Sequence, residues 1–158
     1  MSTTQLEFMQ MSGSEFVDAI THAPDARVLL SSPKLKYYFP WDDWAKPEPV
    51  VREVFLATQK VRNKKDLKIV GMIELTLSPF SDKEVWLMFI SVDPAFQRQG
   101  VSRELLTMLI AYLKETGKLL VRSRPSEFAP EGFQDFVDKM LNDQRIPWRQ
   151  GERSANLT

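Results

Sequence analysis

The sequence predicts an α/β fold in which helices cover both faces of one sheet. Residues 50–61 and 69–77, rich in β-branched and apolar side chains, flank a polar turn and predict a hairpin. Residues 85–90 form a continuous apolar run, which is typical of a strand covered on both faces. Leucines at helical spacing over residues 102–116 predict a strong helix. The 158 residues are expected to form one domain, 1–158.

Composition excludes several kinds of site. The chain has no cysteine, which excludes disulfides, thiolate zinc sites, iron–sulfur clusters and a cysteine nucleophile. Its single histidine, His22, excludes a His-rich metal site, so no metal is expected. Lys+Arg and Asp+Glu both total 21, so the chain lacks the net basic charge of a nucleic-acid or acidic-membrane binder. With no membrane-length apolar run and no secretory signal in residues 1–10, we expect a cytoplasmic protein.

The first elements are predicted from short-range signals. Residues 5–11 are a short strand candidate, and Ser12 with Glu15 makes a capping box that opens a helix ending before Pro24. Residues 31–49 are dense in proline and aromatic side chains without a sustained period, which predicts an irregular but ordered segment. Two interpretations of that segment stay open. Its aromatics either belong to the core, or together with Asp42 and Asp43 they suit a cation.

The second half alternates helices and strands. Ser102 is the expected N-cap of the helix 102–116, and Gly117 is the expected left-handed residue after it. A short strand follows at residues 119–123, and apolar spacing predicts a last helix over residues 133–142. The tail, 146–158, has little to bury and is expected to fray at its end.

The sharpest chemical signal lies in residues 90–102, where a buried strand passes through a short turn into a helix N-terminus. Backbone N–H groups at such a start have no helical partner, and the helix dipole favours an anion there. Gly100 would let a ligand approach the backbone closely, so a phosphate is the natural occupant. Arg98 and Arg103 either contact that anion or lie in solvent.

These residues resemble the acetyl-CoA signature of the GNAT superfamily of N-acetyltransferases. In that family a strand ending in Val-x-Pro leads to a Gln/Arg-x-x-Gly-x-Gly/Ala loop. Here Gln97 and Gly100 match, and Ser102 replaces the final small residue. The order of elements over about residues 5–142 is also similar. The resemblance implies a GNAT-like mixed, mostly antiparallel sheet flanked by helices on both faces.

The resemblance also implies acetyl-CoA, or another acyl-CoA, as cofactor. Family members separate two strands where the loop begins, so the backbone of Phe89, Ile90 and Val92 would line the pantetheine arm. The loop and the first helical turn would hold the pyrophosphate with Gln97, Arg98, Gln99, Gly100, Val101, Ser102 and Arg103.

The catalytic positions depart from the family pattern. Many relatives carry a Tyr acid on the last helix and a Glu base in the third strand of the meander, where this chain has Val137 and Trp86. Glu84, one step before Trp86 on the same face, and Glu74, on the preceding strand, are the candidate bases, acting through a water. Glu84 alternatively is a solvated strand-end carboxylate. The leaving thiolate would be protonated or stabilised by one of the remaining groups: Tyr37, Tyr38, Ser91 or water.

The sequence therefore predicts an acetyl-CoA-dependent N-acyltransferase that transfers an acyl group to a primary amine of a small molecule or protein. We expect a monomer or homodimer with no nucleic-acid or membrane partner. The alternative is a catalytically inactive GNAT-fold CoA-binding or protein-interaction module, since the usual acid and base positions are not matched. Thiol release from acetyl-CoA with an amine or protein panel separates the two.

Overall fold

The computed structural model describes most of the sheet and two complete helices, in six stretches: residues 6–16, 51–60, 67–77, 81–96, 99–122 and 132–151. The predictions for the aromatic segment, including the one for Tyr38, lie outside the described residues, as do those for Gln97 and Arg98. Within the described stretches, no helix has the length and apolar character needed to cross a membrane.

The described residues form a six-stranded sheet with its strands in chain order. The first four strands pair antiparallel, whereas β4, β5 and β6 run parallel to one another. This confirms the expected mixed, mostly antiparallel sheet. The strands are β1 Leu6–Ser12, β2 Arg52–Lys60, β3 Leu67–Leu77, β4 Glu84–Val92, β5 Leu119–Arg122 and β6 Trp148–Gln150.

Within the described residues, the parallel strands are connected by two helices: α1, Val101–Thr116, between β4 and β5, and α2, Phe133–Asp143, between β5 and β6. The end of α1 is as predicted, because Gly117 has φ 68° and its N–H donates to the Leu113 carbonyl at 2.8 Å. The start differs. Gly100, with φ 81°, is the N-cap and Ser102 lies inside the helix, so the assignment of Ser102 as cap was wrong.

The capping box at the end of β1 is confirmed by two reciprocal hydrogen bonds. The Glu15 N–H donates to Ser12 Oγ at 3.1 Å, and the Ser12 N–H donates to Glu15 Oε1 at 3.4 Å. Residues 13–16 are helical from that point. Gly13 lies directly against β2, since a Cβ added there would come 2.7 Å from Cβ of Arg52.

The main core lies between the sheet and the two helices. Strand residues such as Phe55, Ile73 and Leu87 pack there against buried α1 and α2 side chains. Gly71 lets α1 approach closely, because an added Cβ would meet Val101 Cγ1 at 3.0 Å and Leu105 Cδ1 at 3.1 Å. The opposite face is covered as well, since it buries Val54, Leu56 and Met72.

One irregularity in the sheet matters for the site. Leu75 pairs with Leu87 but Glu74 pairs with Phe89, so Met88 is an extra residue in β4. Such a bulge reverses the alternation of faces, because side chains in a strand alternate with a period of two. Val85 and Leu87 face the core before the bulge, and Ile90 and Val92 do so after it.

Candidate functional site

The first element of the site is the part of β4 beyond its described pairing with β5, which we call the opening. In the described part of the chain, pairing between β4 and β5 ends at Leu87 and Arg122, yet β4 continues to Val92. The last four residues of β4 pair with β3 on one side, and on the other side they lie beyond the described end of β5.

Hydrogen bonding to β3 identifies which backbone groups face that opening. The Asp93 N–H donates to the Val70 carbonyl at 2.8 Å. Antiparallel pairs alternate between bonded and non-bonded positions, so Ser91 and Phe89 also point their backbone groups at β3. The backbone N–H and C=O of Ile90 and Val92 consequently point away from β3, on the side of the opening. Of the three strand residues expected from the sequence to line a cofactor, these two are oriented for that role.

The opening leads to the N-terminus of α1, where the first helical hydrogen bond runs from the Glu104 N–H to the Gly100 carbonyl at 3.0 Å. The N–H groups of Val101, Ser102 and Arg103 precede that bond and lie at the positive end of the helix dipole. A Cβ added to Gly100 would find no atom of the described residues within 4 Å, so none of these residues covers the helix start at Gly100. These groups can hold an anion.

Three described side chains of this segment, those of Asp93, Gln99 and Val101, make contacts within the protein. Asp93, which is buried, accepts the Ala95 N–H through Oδ1 at 2.9 Å. Gln99 donates its side-chain amide to the Ala95 carbonyl at 3.1 Å, and the Val101 side chain lies in the core. Arg103 is exposed, with its guanidinium 5.4 Å from the ring centroid of Phe136 on α2. Gln99 and Val101 would therefore contact an anion through their backbone atoms.

Glu74 lies on the sheet face opposite α1, at the level where the opening begins. It is cross-strand from Phe89, and the residue is only 8% exposed. Its Oε1 lies 3.5 Å from Nε of Arg52, on the neighbouring strand. A carboxylate and a guanidinium thus form a nearly buried pair close to the end of the β4–β5 ladder.

Glu84 lies at the other end of β4. As the first residue of that strand it is about 20 Å from Ile90, at roughly 3.3 Å per residue. Both of its carboxylate oxygens accept from Nη2 of Arg149 at 3.3 Å. The two glutamates expected from the sequence are therefore not brought together, and only Glu74 lies beside the opening.

Val137 and Trp86, which the sequence analysis places at the family's acid and base positions, both serve packing. Val137 is 1% exposed and belongs to the main core. The Trp86 ring packs on Gly151, where an added Cβ would come 2.6 Å from ring atom Cζ3. The one tyrosine among the described residues, Tyr112, packs edge-to-face on Phe55 with centroids 5.9 Å apart. It is about 18 Å along α1 from Gly100.

Sequence reasoning missed a buried cation, Arg122, at the end of β5. It is 5% exposed, contacts Gln134 and Asp138 of α2, and lies 4.8 Å from the ring centroid of Trp148 on β6. Burial lowers the pKa of its guanidinium from the usual value. The only signal in the sequence is an arginine that follows three apolar residues of a short strand.

The family model described as "Acetyltransferase (GNAT) family" matches residues 22–126. No curated protein matches the chain. Among solved structures, the aminoglycoside acetyltransferase HMB0005 from an uncultured soil metagenomic sample has 13% identity and a TM-score of 0.52, covering 98% of this chain and 95% of its own. A putative acetyltransferase of the GNAT family from Desulfovibrio desulfuricans has 14% identity and a TM-score of 0.55, with 86% and 83% covered. At these identities the two structures show a shared fold.

Proposed function

This chain belongs to the GNAT acetyltransferase family, and from that premise we propose that it is an acetyl-CoA-dependent N-acyltransferase acting on a primary amine. The observation that carries the proposal is the continuity between two features. The part of β4 beyond its described pairing with β5 leads to the helix N-terminus at Gly100, where no described residue would meet an added Cβ. One ligand with an amide-bearing arm and a pyrophosphate would use both.

The residues present fit such a ligand. Ile90 offers a backbone donor and acceptor to the amides of a pantetheine arm, as a neighbouring strand would. The first N–H groups of α1 suit a pyrophosphate, and Gly100 leaves room for it. Bound acetyl-CoA would supply the acyl group as a thioester. Arg103, exposed beside this helix start, would add a charge that salt screens.

Glu74 is the residue we propose as general base, acting through a water. An attacking amine must lose a proton, and Glu74 is the described carboxylate that lies beside the opening. Arg52 holds the carboxylate in place at 3.5 Å. Glu84, the alternative from the sequence, is held by Arg149 at the far end of the strand. Because a free thiol has a pKa of only about 8.5, a thiolate can leave near neutral pH with little help, so the absence of a Tyr at position 137 is compatible with turnover. Tyr38 stays a proposed source of that help.

The proposed acceptor is a primary amine of a small molecule or protein. The protein itself is proposed to be a monomer or homodimer in the cytoplasm. One structural neighbour is named as an aminoglycoside acetyltransferase, which supports including an aminoglycoside in the acceptor panel. The second candidate function is an inactive CoA-binding module. It is favoured by Val137 and Trp86, whose side chains pack in the fold where relatives carry polar groups.

The test is calorimetry with acetyl-CoA followed by thiol release with a panel of small amines and peptides. Binding together with amine-dependent thiol release is the expected result. Binding without release from any acceptor would favour the inactive module, and failure to bind acetyl-CoA or CoA would overturn the proposal as a whole.

Glu74→Gln and Glu84→Gln form a matched pair for the base. A general base contributes about 10²- to 10⁴-fold, so Glu74→Gln should lower kcat by about 10²-fold or more. Glu84→Gln removes the ion pair with Arg149 and should leave kcat close to that of the wild type. The wild-type rate should rise with pH as the acceptor amine loses its proton. The opposite order of the two variants would transfer the role to Glu84.

A further inference from the structure

The guanidinium of Arg103, on α1, lies over an aromatic ring of α2. Its Cζ is 5.4 Å from the ring centroid of Phe136, although Arg103 is an exposed residue. Arg103 is the third residue of α1, and side chains on a helix lean toward the N-terminus of that helix. We therefore expect its charge over the first turn of α1, on the side where the ring of α2 meets it.

The position of the half-buried Phe136 is fixed by the other contacts of α2. The next residue, Val137, is 1% exposed and packs in the main core. Gln134 and Asp138, two residues before and after Phe136 and so on the opposite side of the helix, both contact the buried Arg122 of β5. Because α2 is anchored toward the core and toward β5, the ring is presented to α1 at a fixed place.

The stability of α1 does not account for a cation at this position. A positive charge in the first turn of a helix is disfavoured by the helix dipole, whereas an anion is attracted there. Among the residues that the structure describes, no carboxylate forms an ion pair with Arg103. A guanidinium can donate two parallel hydrogen bonds to a phosphate group. The arrangement therefore suits an anion that contacts the helix start and the guanidinium together.

We propose that Phe136 is a positioning residue whose ring holds the Arg103 guanidinium at the start of α1, where it contacts the pyrophosphate of acetyl-CoA. This rests on the proposed function, since the pyrophosphate is that of the cofactor. A long exposed side chain loses rotamer freedom when it binds a ligand, and a ring that already restricts the side chain reduces that loss. The contribution of Phe136 to affinity therefore depends on the charge at Arg103.

The experiment is a double-mutant cycle in which calorimetry measures the Kd of CoA. Arg103→Gln removes the charge and should weaken CoA by about tenfold. Phe136→Leu removes the ring, keeps an apolar side chain, and should weaken CoA by about three- to fivefold, the size of an exposed cation–π contact. In the Arg103→Gln background, Phe136→Leu should change the Kd by less than about twofold. Added salt should reduce the loss caused by Arg103→Gln, because salt screens exposed charges.

Two matched variants control for the loss of aromatic volume. Phe136→Tyr keeps a ring at the same place and should bind CoA as the wild type does. Phe133→Leu removes the neighbouring ring of α2, whose centroid is 6.4 Å from that of Phe136, and should leave the Kd of CoA unchanged. NMR of the ligand-free protein gives a readout that needs no cofactor. The ring current should shift the δ-methylene protons of Arg103 upfield in the wild type and in Phe136→Tyr, and Phe136→Leu should lose that shift.

Dephospho-CoA keeps the pyrophosphate and lacks the 3′-phosphate, so Phe136→Leu should weaken dephospho-CoA by the same factor as CoA. A loss confined to CoA would assign the guanidinium to the 3′-phosphate and overturn the inference.

The same loss from Phe136→Leu with and without the charge at Arg103 would show a merely structural role and overturn the inference. Unchanged CoA affinity of Phe136→Leu, or an unchanged Arg103 resonance, would also overturn it. If the wild type binds neither CoA nor dephospho-CoA, the proposed function fails and the inference fails with it, whereas wild-type binding with additive losses refutes the inference alone. Should Phe136→Leu not fold, Phe136→Met, which adapts to irregular space, must show the same coupling.

Discussion

Replacing Gly100 separates backbone strain from obstruction of a ligand. Its φ of 81° and ψ of 6° lie in the left-handed region, where an L side chain costs about 1–2 kcal/mol. No atom of the described residues is within 4 Å of an added Cβ, so these residues add no steric cost there. At about 2–4 °C per kcal/mol for a chain of this size, Gly100→Ala should lower Tm by about 2–8 °C. Gly100→Asn should lower it less, since Asn tolerates this conformation.

The affinity for CoA should respond to substitution of Gly100 differently from the stability of the fold. A Cβ at Gly100 occupies the space through which a phosphate would approach the N–H groups of α1. Loss of one charge-assisted hydrogen bond is worth about 1.5–3 kcal/mol, so Gly100→Asn should weaken CoA by about 10- to 150-fold in a folded protein. Calorimetry with CoA at a temperature well below Tm measures this.

Gly117→Asn is the matched control. Gly117 has φ 68°, caps the other end of the same helix, and likewise has open space around an added Cβ in the described structure. Gly117→Asn should shift Tm as Gly100→Asn does and leave CoA affinity unchanged. Wild-type CoA affinity in a folded Gly100→Asn protein would refute the assignment of the phosphate site to this helix start.

Three further changes test the packing and electrostatics of the same fold. Gly71→Ala should destabilise the protein, because the added Cβ would lie 3.0 Å from Val101 and 3.1 Å from Leu105 and overpack the core at a cost of about 1–3 kcal/mol. That cost exceeds the stabilisation of about 0.4–1 kcal/mol that comes from the reduced entropy of the unfolded chain. An unchanged or higher Tm would contradict this. Burial, and secondarily a neighbouring glutamate, raise the pKa of Tyr112, so the folded state keeps a phenol proton that the unfolded chain releases. Stability to urea should therefore fall as pH rises past about 10, and Tyr112→Phe should make that fall shallower; parallel curves would count against it. Arg149→Ala breaks a partly exposed ion pair and should change the free energy of unfolding by no more than about 1 kcal/mol, a bound that chemical denaturation checks.

Local signals in the sequence predicted local structure well. The capping box of Ser12 and Glu15 depends on residues three apart, and both of its hydrogen bonds are present. Gly117 ends α1 as predicted because a left-handed residue after a helix is a property of the backbone there. The start of α1 was misjudged by preferring a side-chain cap at Ser102. Gly100 supplies the turn with its backbone conformation and makes no side-chain cap.

Contacts between distant segments could not be predicted in the same way. The cluster around Arg122 joins residues 12 to 28 positions apart on β5, α2 and β6. An arginine that ends a short strand is usually solvated, so nothing in its immediate neighbours indicated burial. Its environment is determined by the parallel crossing of α2 and β6, which depends on the whole topology.

The relative positions of the two candidate bases depend on a single extra residue. In a regular strand, alternate side chains share a face, so the sequence places Glu84, Trp86 and Ile90 on one face of β4. Glu84 would then belong to the same row of side chains as Ile90, which lies beside the opening. The bulge at Met88 breaks that row, because Ile90 packs toward the core with Leu87 instead. Which glutamate lies beside the opening is therefore decided by the pairing of β4 with the neighbouring strand β3. There Glu74, opposite Phe89, lies at the first pair beyond the bulge, which is the physical reason for preferring it as the base.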